Sequence, residues 1–232
     1  MLKAIIFDFD GTIIDTETAW YLAFRDSYQT YGVDLSVELY SGCIGTSLHT
    51  FNPYEYLNTH HNLGVDSEEL RRTVRARHAE LMKKEKIRPG VCEYLEQAKE
   101  AGLKVGLASS SDREWVERHL RQLGIFEYFD CIRTANDVEK VKPDPSLYRK
   151  ALEGLGATAE EAVAVEDSPN GMRAAAAAGI ACVVTPNRIT SLLEFEESQW
   201  RVENLGQLAF ADVVKAMAKP LAEPVPGEES VR

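Results

Sequence analysis

The chain has 232 residues, of which 44% are hydrophobic and 27% charged, and this is the composition of an ordinary globular protein. That length suits one large domain or two modest ones and needs no disulfide or metal to hold it folded. With 26 basic against 37 acidic residues the formal charge is −11, which excludes nucleic acid and anionic membranes as partners unless a local basic patch exists.

From the amino terminus, Met1-Leu2-Lys3 leads directly into Ala4–Phe9, an apolar run that meets Asp8 too soon for a signal peptide. Such a run reads as a strand buried on both faces, as in a parallel sheet. Residues 17–88 then show helical spacing (Trp20, Phe24, Tyr28; Leu70, Val74, Leu81) and no buried strand. The basic run Lys83, Lys84, Lys86 and Arg88 is interleaved with Glu85 and reads as a solvated helix face. Pro89-Gly90 restarts a strand–helix alternation. Its strands are Leu103–Ala108, Cys131–Thr134, Ala162–Val165 and Ala181–Thr185. Between them, residues 113–123 form an amphipathic helix closed by Gly124, and Asp144 with Pro145 reads as an N-cap and first-turn proline. This alternation predicts a parallel α/β sheet with a helical domain inserted after the first strand. The last stretch, from about Lys219, carries three prolines among acids and reads as a disordered tail. No apolar run approaches the roughly 20 residues of a membrane span. Cys43, Cys92, Cys131 and Cys182 are scattered, with no CxxC and no metal-site spacing, and suit a reducing cytosol. The expectation is a soluble, cytoplasmic protein, monomeric by default.

In open α/β sheets ligands bind at the carboxyl ends of strands. The polar residues there are Asp8 and Asp10, Ser109 to Ser111, and Glu166 with Asp167, joined by Lys142 in a loop. Crowded carboxylates require a cation, and oxygen donors without His or Cys point to Mg²⁺. Hydroxyls and backbone N–H groups at a strand–helix junction suit an anion, and a lysine adds positive charge. Together they imply phosphate chemistry. Two aspartates spaced two apart project the same way from an extended segment. One can attack phosphorus to form an aspartyl-phosphate while its neighbour handles the proton. Gly11 lets the chain turn after the strand, and the Thr12 hydroxyl is expected to secure that turn. Each motif alone has an ordinary structural explanation in turns and helix caps; their joint placement at the ends of one sheet's strands sets them apart. His60-His61 has no third ligand nearby in the pattern and reads as surface.

These motifs, FDFDGT, LASSS, VKPDP and VEDS in that order, resemble those of the haloacid dehalogenase superfamily of aspartate-nucleophile phosphotransferases. The resemblance spans residues 1 to about 186. DTETAW (Asp15 to Trp20) and EDSPNG (Glu166 to Gly171) resemble the helical-cap subgroup that includes β-phosphoglucomutase and small sugar-phosphate phosphatases. It implies a Rossmann-like core over 1–15 and 89–218, with a helical cap over 16–88. It implies Asp8 as nucleophile, Asp10 as general acid/base, and Ser109, Lys142 and the Ser110 backbone as phosphoryl ligands. Mg²⁺ would be held by Asp8, the Asp10 carbonyl and Asp167, with Glu166 either binding the ion or steadying its ligands.

Departures from the family narrow the reaction. Asp10 argues against carbon–halogen cleavage, because the dehalogenases lack that second aspartate. The mutase has a histidine where Trp20 stands and a cap arginine near the position of Leu48. Without them hydrolysis of a small phosphorylated metabolite is favoured, with a phosphosugar mutase as the alternative and a non-catalytic binding protein as a third. Trp20, Thr46, Ser47, His49 and Phe51 are candidates for the cap surface facing substrate, with Trp20 and Phe51 as a stacking pair; cap-core packing accounts for them equally well.

Overall fold

The computed structural model describes residues 1–44, 51–196 and 200–218. Six parallel strands form one sheet: β1 (Ala4–Phe7), β2 (Lys104–Ala108), β3 (Cys131–Arg133), β4 (Ala162–Glu166), β5 (Ala181–Val184) and β6 (Trp200–Arg201). Their order is β3-β2-β1-β4-β5-β6. Chain order reverses beside β1, so a crevice opens where β1 and β4 end. The register brings Phe7 level with Leu107 on one side and Val165 on the other. The two-residue β6 carries no apolar run, and for that reason sequence periodicity does not reveal it.

The two faces of the sheet bury different residues. Ile5, Phe7, Val105, Leu107, Val163 and Val165 pack beneath α5 (Val91–Glu100), α6 (Arg113–Gln122) and α9 (Phe210–Met217). On the opposite face small side chains, among them Ala4, Ala108, Ala162 and Ala164, admit α7 (Ser146–Leu155) and α8 (Pro169–Ala177) closely. The cap of α1 (Thr16–Gln29), α2 (Val37–Ser41), α3 (Tyr56–His61) and α4 (Ser67–Met82) has its own cluster, rich in tyrosine and phenylalanine. Asp15 caps α1 by accepting the Thr18 N–H at 3.0 Å.

Four local expectations require correction. Helix α7 has Pro145 at its N-cap, one residue later than expected; the Asp144 carboxylate still accepts the Ser146 N–H at 2.9 Å. The Thr12 hydroxyl is buried without a partner, and the turn is held by backbone bonds, Gly11 N–H to Ile14 carbonyl at 2.8 Å and Thr12 N–H to Phe9 carbonyl at 3.3 Å. The basic run lies beyond α4, and Arg88 is not part of a solvated face. Its guanidinium donates to the carbonyls of Gly11, Thr185 (2.7 Å), Pro186 (2.9 Å) and Glu203 (3.1 Å). Arg88 thereby ties the returning cap linker to the β1 and β5 loops, where Ile14 bridges Ile87. Phe51 is buried in the cap cluster against Tyr56, so it cannot stack on a ligand. Among the described residues no helix is long and apolar enough to cross a membrane.

Candidate active site

The site grows from the ends of β1, β2 and β4. Asp8 follows β1 directly, and its N–H continues the ladder to the Val165 carbonyl at 2.9 Å. Gly11 then turns with φ of +83°, and a Cβ there would stand 2.1 Å from Asp167 Oδ2. Only glycine permits both that backbone and that approach. Beyond β4, Ser168 caps α8 by accepting the Gly171 N–H at 3.1 Å. A Cβ on Gly171 would fall 1.9 Å from Glu166 Oε2, so glycine lets the helix abut that carboxylate.

The loop after β3 returns Lys142 into this cluster, 5% exposed. Its ammonium lies 2.5 Å from Asp8 Oδ1 and 2.6 Å from Glu166 Oε1. Tyr148 donates its hydroxyl to the same Glu166 oxygen at 2.5 Å, and Asn187 donates to Asp167 Oδ2 at 2.8 Å. Burial alone would depress Lys142, but Asp8 and Glu166 together hold it above its usual value and therefore charged. Negative charge is nevertheless in excess. Burial pushes Glu166 up to about 7 despite Lys142, and burial with the charges of Asp8 and Glu166 raises Asp167 well above its ordinary value.

That excess is the test for a cation. Asp8, Glu166 and Asp167 each offer an oxygen within 4.8 Å of the others, all three are buried, and Glu166 Oε2 has no hydrogen-bond partner. A buried carboxylate oxygen without a donor is a costly group that a metal ion would satisfy. The all-oxygen donor set fits a hard divalent cation.

Asp10 faces the cluster from the other side. Ser111 donates its hydroxyl to Asp10 Oδ2 at 2.6 Å, Ser109 approaches the same oxygen at 3.4 Å, and the Trp115 indole N–H donates to Oδ1 at 3.0 Å. Burial raises the Asp10 carboxyl, opposed by the Ser111 hydrogen bond and reinforced by Asp8. Ser109 is wholly buried, and its hydroxyl accepts the Ser111 N–H at 3.0 Å. Asp112, after the serines, is the residue that caps α6, accepting the Trp115 N–H at 2.8 Å.

A cleft of about 460 Å³ opens above these groups. Asp8, Asp10, Ser110, Lys142 and Asp167 line its floor; Glu17, Trp20 and Ile44 come from the cap side. Trp20 lines the cleft and has one face stacked on His78 at 3.7 Å. Thr46, Ser47 and His49 lie outside the described residues. His60 stacks on Tyr56 at 4.3 Å and takes part in no described cluster of metal-ligating groups. Sequence reasoning missed Glu17, which burial and the nearby charges of Asp10, Asp15 and Asp8 push up to about 8. Its place in the first turn of a capped helix reads as ordinary dipole stabilisation. The sequence carries no functional signal for Trp115, Tyr148 or Asn187.

The sequence profile of the haloacid dehalogenase-like hydrolases matches residues 5–185, which contain every one of these floor residues. The chain belongs to this family. Among its relatives, the Bacillus subtilis (strain 168) protein YhcW, itself only provisionally named a phosphatase, is 46% identical over 91% of this chain and 96% of that one. The phosphorylated carbohydrates phosphatase of Thermotoga maritima is 35% identical over 77% of this chain and 82% of its own. In three dimensions the chain superposes on CbbY from Rhodobacter sphaeroides in complex with phosphate, with TM-score 0.69 and 32% identity over 90% and 96% of the two chains. A mutant of that protein is known in complex with xylulose 1,5-bisphosphate. Family membership makes the chain a hydrolase with a Rossmann-like core and helical cap, as its motifs imply.

Proposed function

We propose that this hydrolase is a Mg²⁺-dependent phosphatase of a small sugar or polyol phosphate, working through an aspartyl-phosphate on Asp8. The observation that carries the reading is the pairing at the cleft floor. A buried aspartate held by a charged lysine lies beside a second aspartate whose carboxyl is raised toward its protonated form. The division between a core of 1–15 and 89–218 and a cap of 16–88 belongs to the same proposal.

A phosphate monoester enters with its oxygens toward Lys142, Ser109 and the Ser110 N–H. An Asp8 carboxylate oxygen attacks phosphorus as the ester P–O bond breaks, and Asp10 gives its proton to the departing alkoxide. Water then attacks the phosphorus of the aspartyl-phosphate and returns a proton to Asp10. The P–O bond to Asp8 breaks, releasing inorganic phosphate and restoring both carboxyl groups. Asp8, Asp167 and the Asp10 carbonyl would hold Mg²⁺, with Glu166 beside them; when bound, the ion supplies positive charge that draws phosphate oxygens to Asp8. The cap excludes bulk water, so its opening contributes to turnover.

The cleft walls support a neutral, hydroxyl-rich leaving group. Among the described lining residues the cations are Lys142 and Arg173, and Arg173 is already paired with Glu196 at 3.0 Å. Glu17 and Glu194 face the remaining space and favour hydroxyls over a second phosphate. The T. maritima relative's name points to the same substrate class.

The test is phosphate release from a panel of hexose, pentose and hexitol phosphates, with Mg²⁺ or chelator, beside Asp8→Asn. Release that needs both Mg²⁺ and Asp8 is the expected outcome. Interconversion of β-glucose 1-phosphate without phosphate release, given a bisphosphate activator, would replace the hydrolase reading with the mutase.

A further inference from the structure

A column of aromatic rings crosses from the cap to the floor of the cleft. Trp20 on α1 stacks on His78 of α4, with centroids 3.7 Å apart and planes 10° from parallel. His78 faces Trp115 of α6 at 5.8 Å and 24°. Trp115 packs on His119 at 4.0 Å, and His119 lies 6.2 Å from Phe9, the residue between the two aspartates. Burial and His119 push His78 down to about 4, so near neutrality it stacks as an uncharged ring.

The column ends in a hydrogen bond that chemistry uses. Asp10 Oδ2 has the hydroxyls of Ser111 and Ser109, and Oδ1 has the indole N–H of Trp115 at 3.0 Å. A serine hydroxyl donates or accepts, so it tolerates either orientation of a carboxyl group. An indole N–H only donates, and therefore fixes which carboxyl edge faces α6. The ring carrying that N–H is held by His119 from the core and His78 from the cap. Trp115 does not line the cleft, and its hydrogen bond to Asp10 is its direct link to the cleft floor.

We propose that Trp115 is the positioning residue for Asp10, its N–H orienting the carboxyl and its stack on His78 coupling that orientation to the seated cap. The inference rests on the reading of Asp10 as the acid–base group.

The test uses the full chain and its best-hydrolysed sugar or hexitol phosphate. Trp115→Phe keeps a stacking ring and removes the N–H, and should lower kcat about tenfold to a hundredfold with KM within twofold, as expected for a lost hydrogen bond to an ionisable group. The same substitution in an Asp10→Asn background should change kcat less than twofold further, because the group it orients is gone. His78→Leu should give a smaller loss, about twofold to fivefold, confined to kcat. If Trp115→Phe does not fold, 3-benzothienylalanine at position 115 keeps the indole's shape without its N–H and should reproduce the loss. Equal fold-losses in the two backgrounds, or a kcat within twofold of wild type, overturn the inference alone. An Asp10→Asn chain with wild-type kcat overturns the acid–base reading beneath it.

Discussion

The sheet core and the helical cap bury different chemistry. The core packs aliphatic and alanine side chains on both faces of the sheet, then buries Asp8, Glu166, Asp167 and Lys142 at its C-terminal edge. The cap packs Tyr21, Phe24, Tyr28 and Tyr40, and its acidic Glu17 sits half-buried where the cap meets the cleft. Buried charges need rigid walls, since a shift of about 1 Å leaves a carboxylate without its partner, and parallel strands supply such walls. Aromatic clusters tolerate tilts and small slides, because ring packing has no single required geometry. Buried ion pairs are thus concentrated in the core, while the cap keeps its ion pairs, such as Arg77 with Asp26, at its surface.

The widest gap should appear when the core loses its buried cation. Lys142→Met leaves Asp8 and Glu166 close together without a partner, and should abolish turnover and cost about 3–5 kcal/mol in metal-free protein. Urea unfolding with chelator and with Mg²⁺ checks this; the deficit should narrow when Mg²⁺ is present. Equal stability of variant and wild type in chelator would break the contrast.

Phe24→Ala in the cap should cost about 3–5 kcal/mol, because it opens a cavity between aromatic neighbours. Here the loss should be local. Hydrogen exchange should show amides of α1 and α4 losing protection while those of β1 and β4 keep theirs.

Gly171→Ala puts a methyl group where Glu166 Oε2 stands, and should lower kcat/KM by about 10² through displacement of the floor, with little change in melting of the cap. Unaltered kcat/KM would show that the floor yields as readily as the cap does.

The smallest effect concerns pH. His78 is 3% exposed and its folded value is lowered to about 4 from 6.5, so the unfolded chain binds the proton more readily. Stability from this residue is full above about pH 6.5 and is lost as pH falls toward 4. Between pH 7 and 5 the loss is about 2 kcal/mol. His78→Phe should shrink the acid-induced drop in Tm by that share, and an identical drop in both proteins would remove His78 from the acid response.

Five strands, two amphipathic core helices and the inserted helical cap were legible because their signals are local. Ile5, Ile6 and Phe7 announce a strand buried on two faces, and Trp20, Phe24 and Tyr28 carry the helical spacing of α1. The four motif positions were legible for the same reason, since each follows a strand or precedes a capped helix. Arg88 was not legible. Its neighbours Lys83, Lys84 and Lys86 are exposed, and nothing in the run distinguishes the arginine that reaches four carbonyls. Phe51 stayed ambiguous, because an aromatic residue in a helical cap has the same local pattern whether it faces a ligand or a core.

By itself, then, the sequence determined the alternation of strands and helices, the inserted cap and the acidic, hydroxyl and lysine positions of the floor, because strand period, helix period and caps are written within a few residues. Only the tertiary structure decided who meets whom across the chain. Lys142 reaches Asp8, Tyr148 reaches Glu166, Asn187 reaches Asp167 and Trp115 reaches Asp10. Those contacts depend on the reversal of strand order beside β1 and on how closely small residues let the helices approach the sheet, and neither is encoded in the spacing of neighbouring residues.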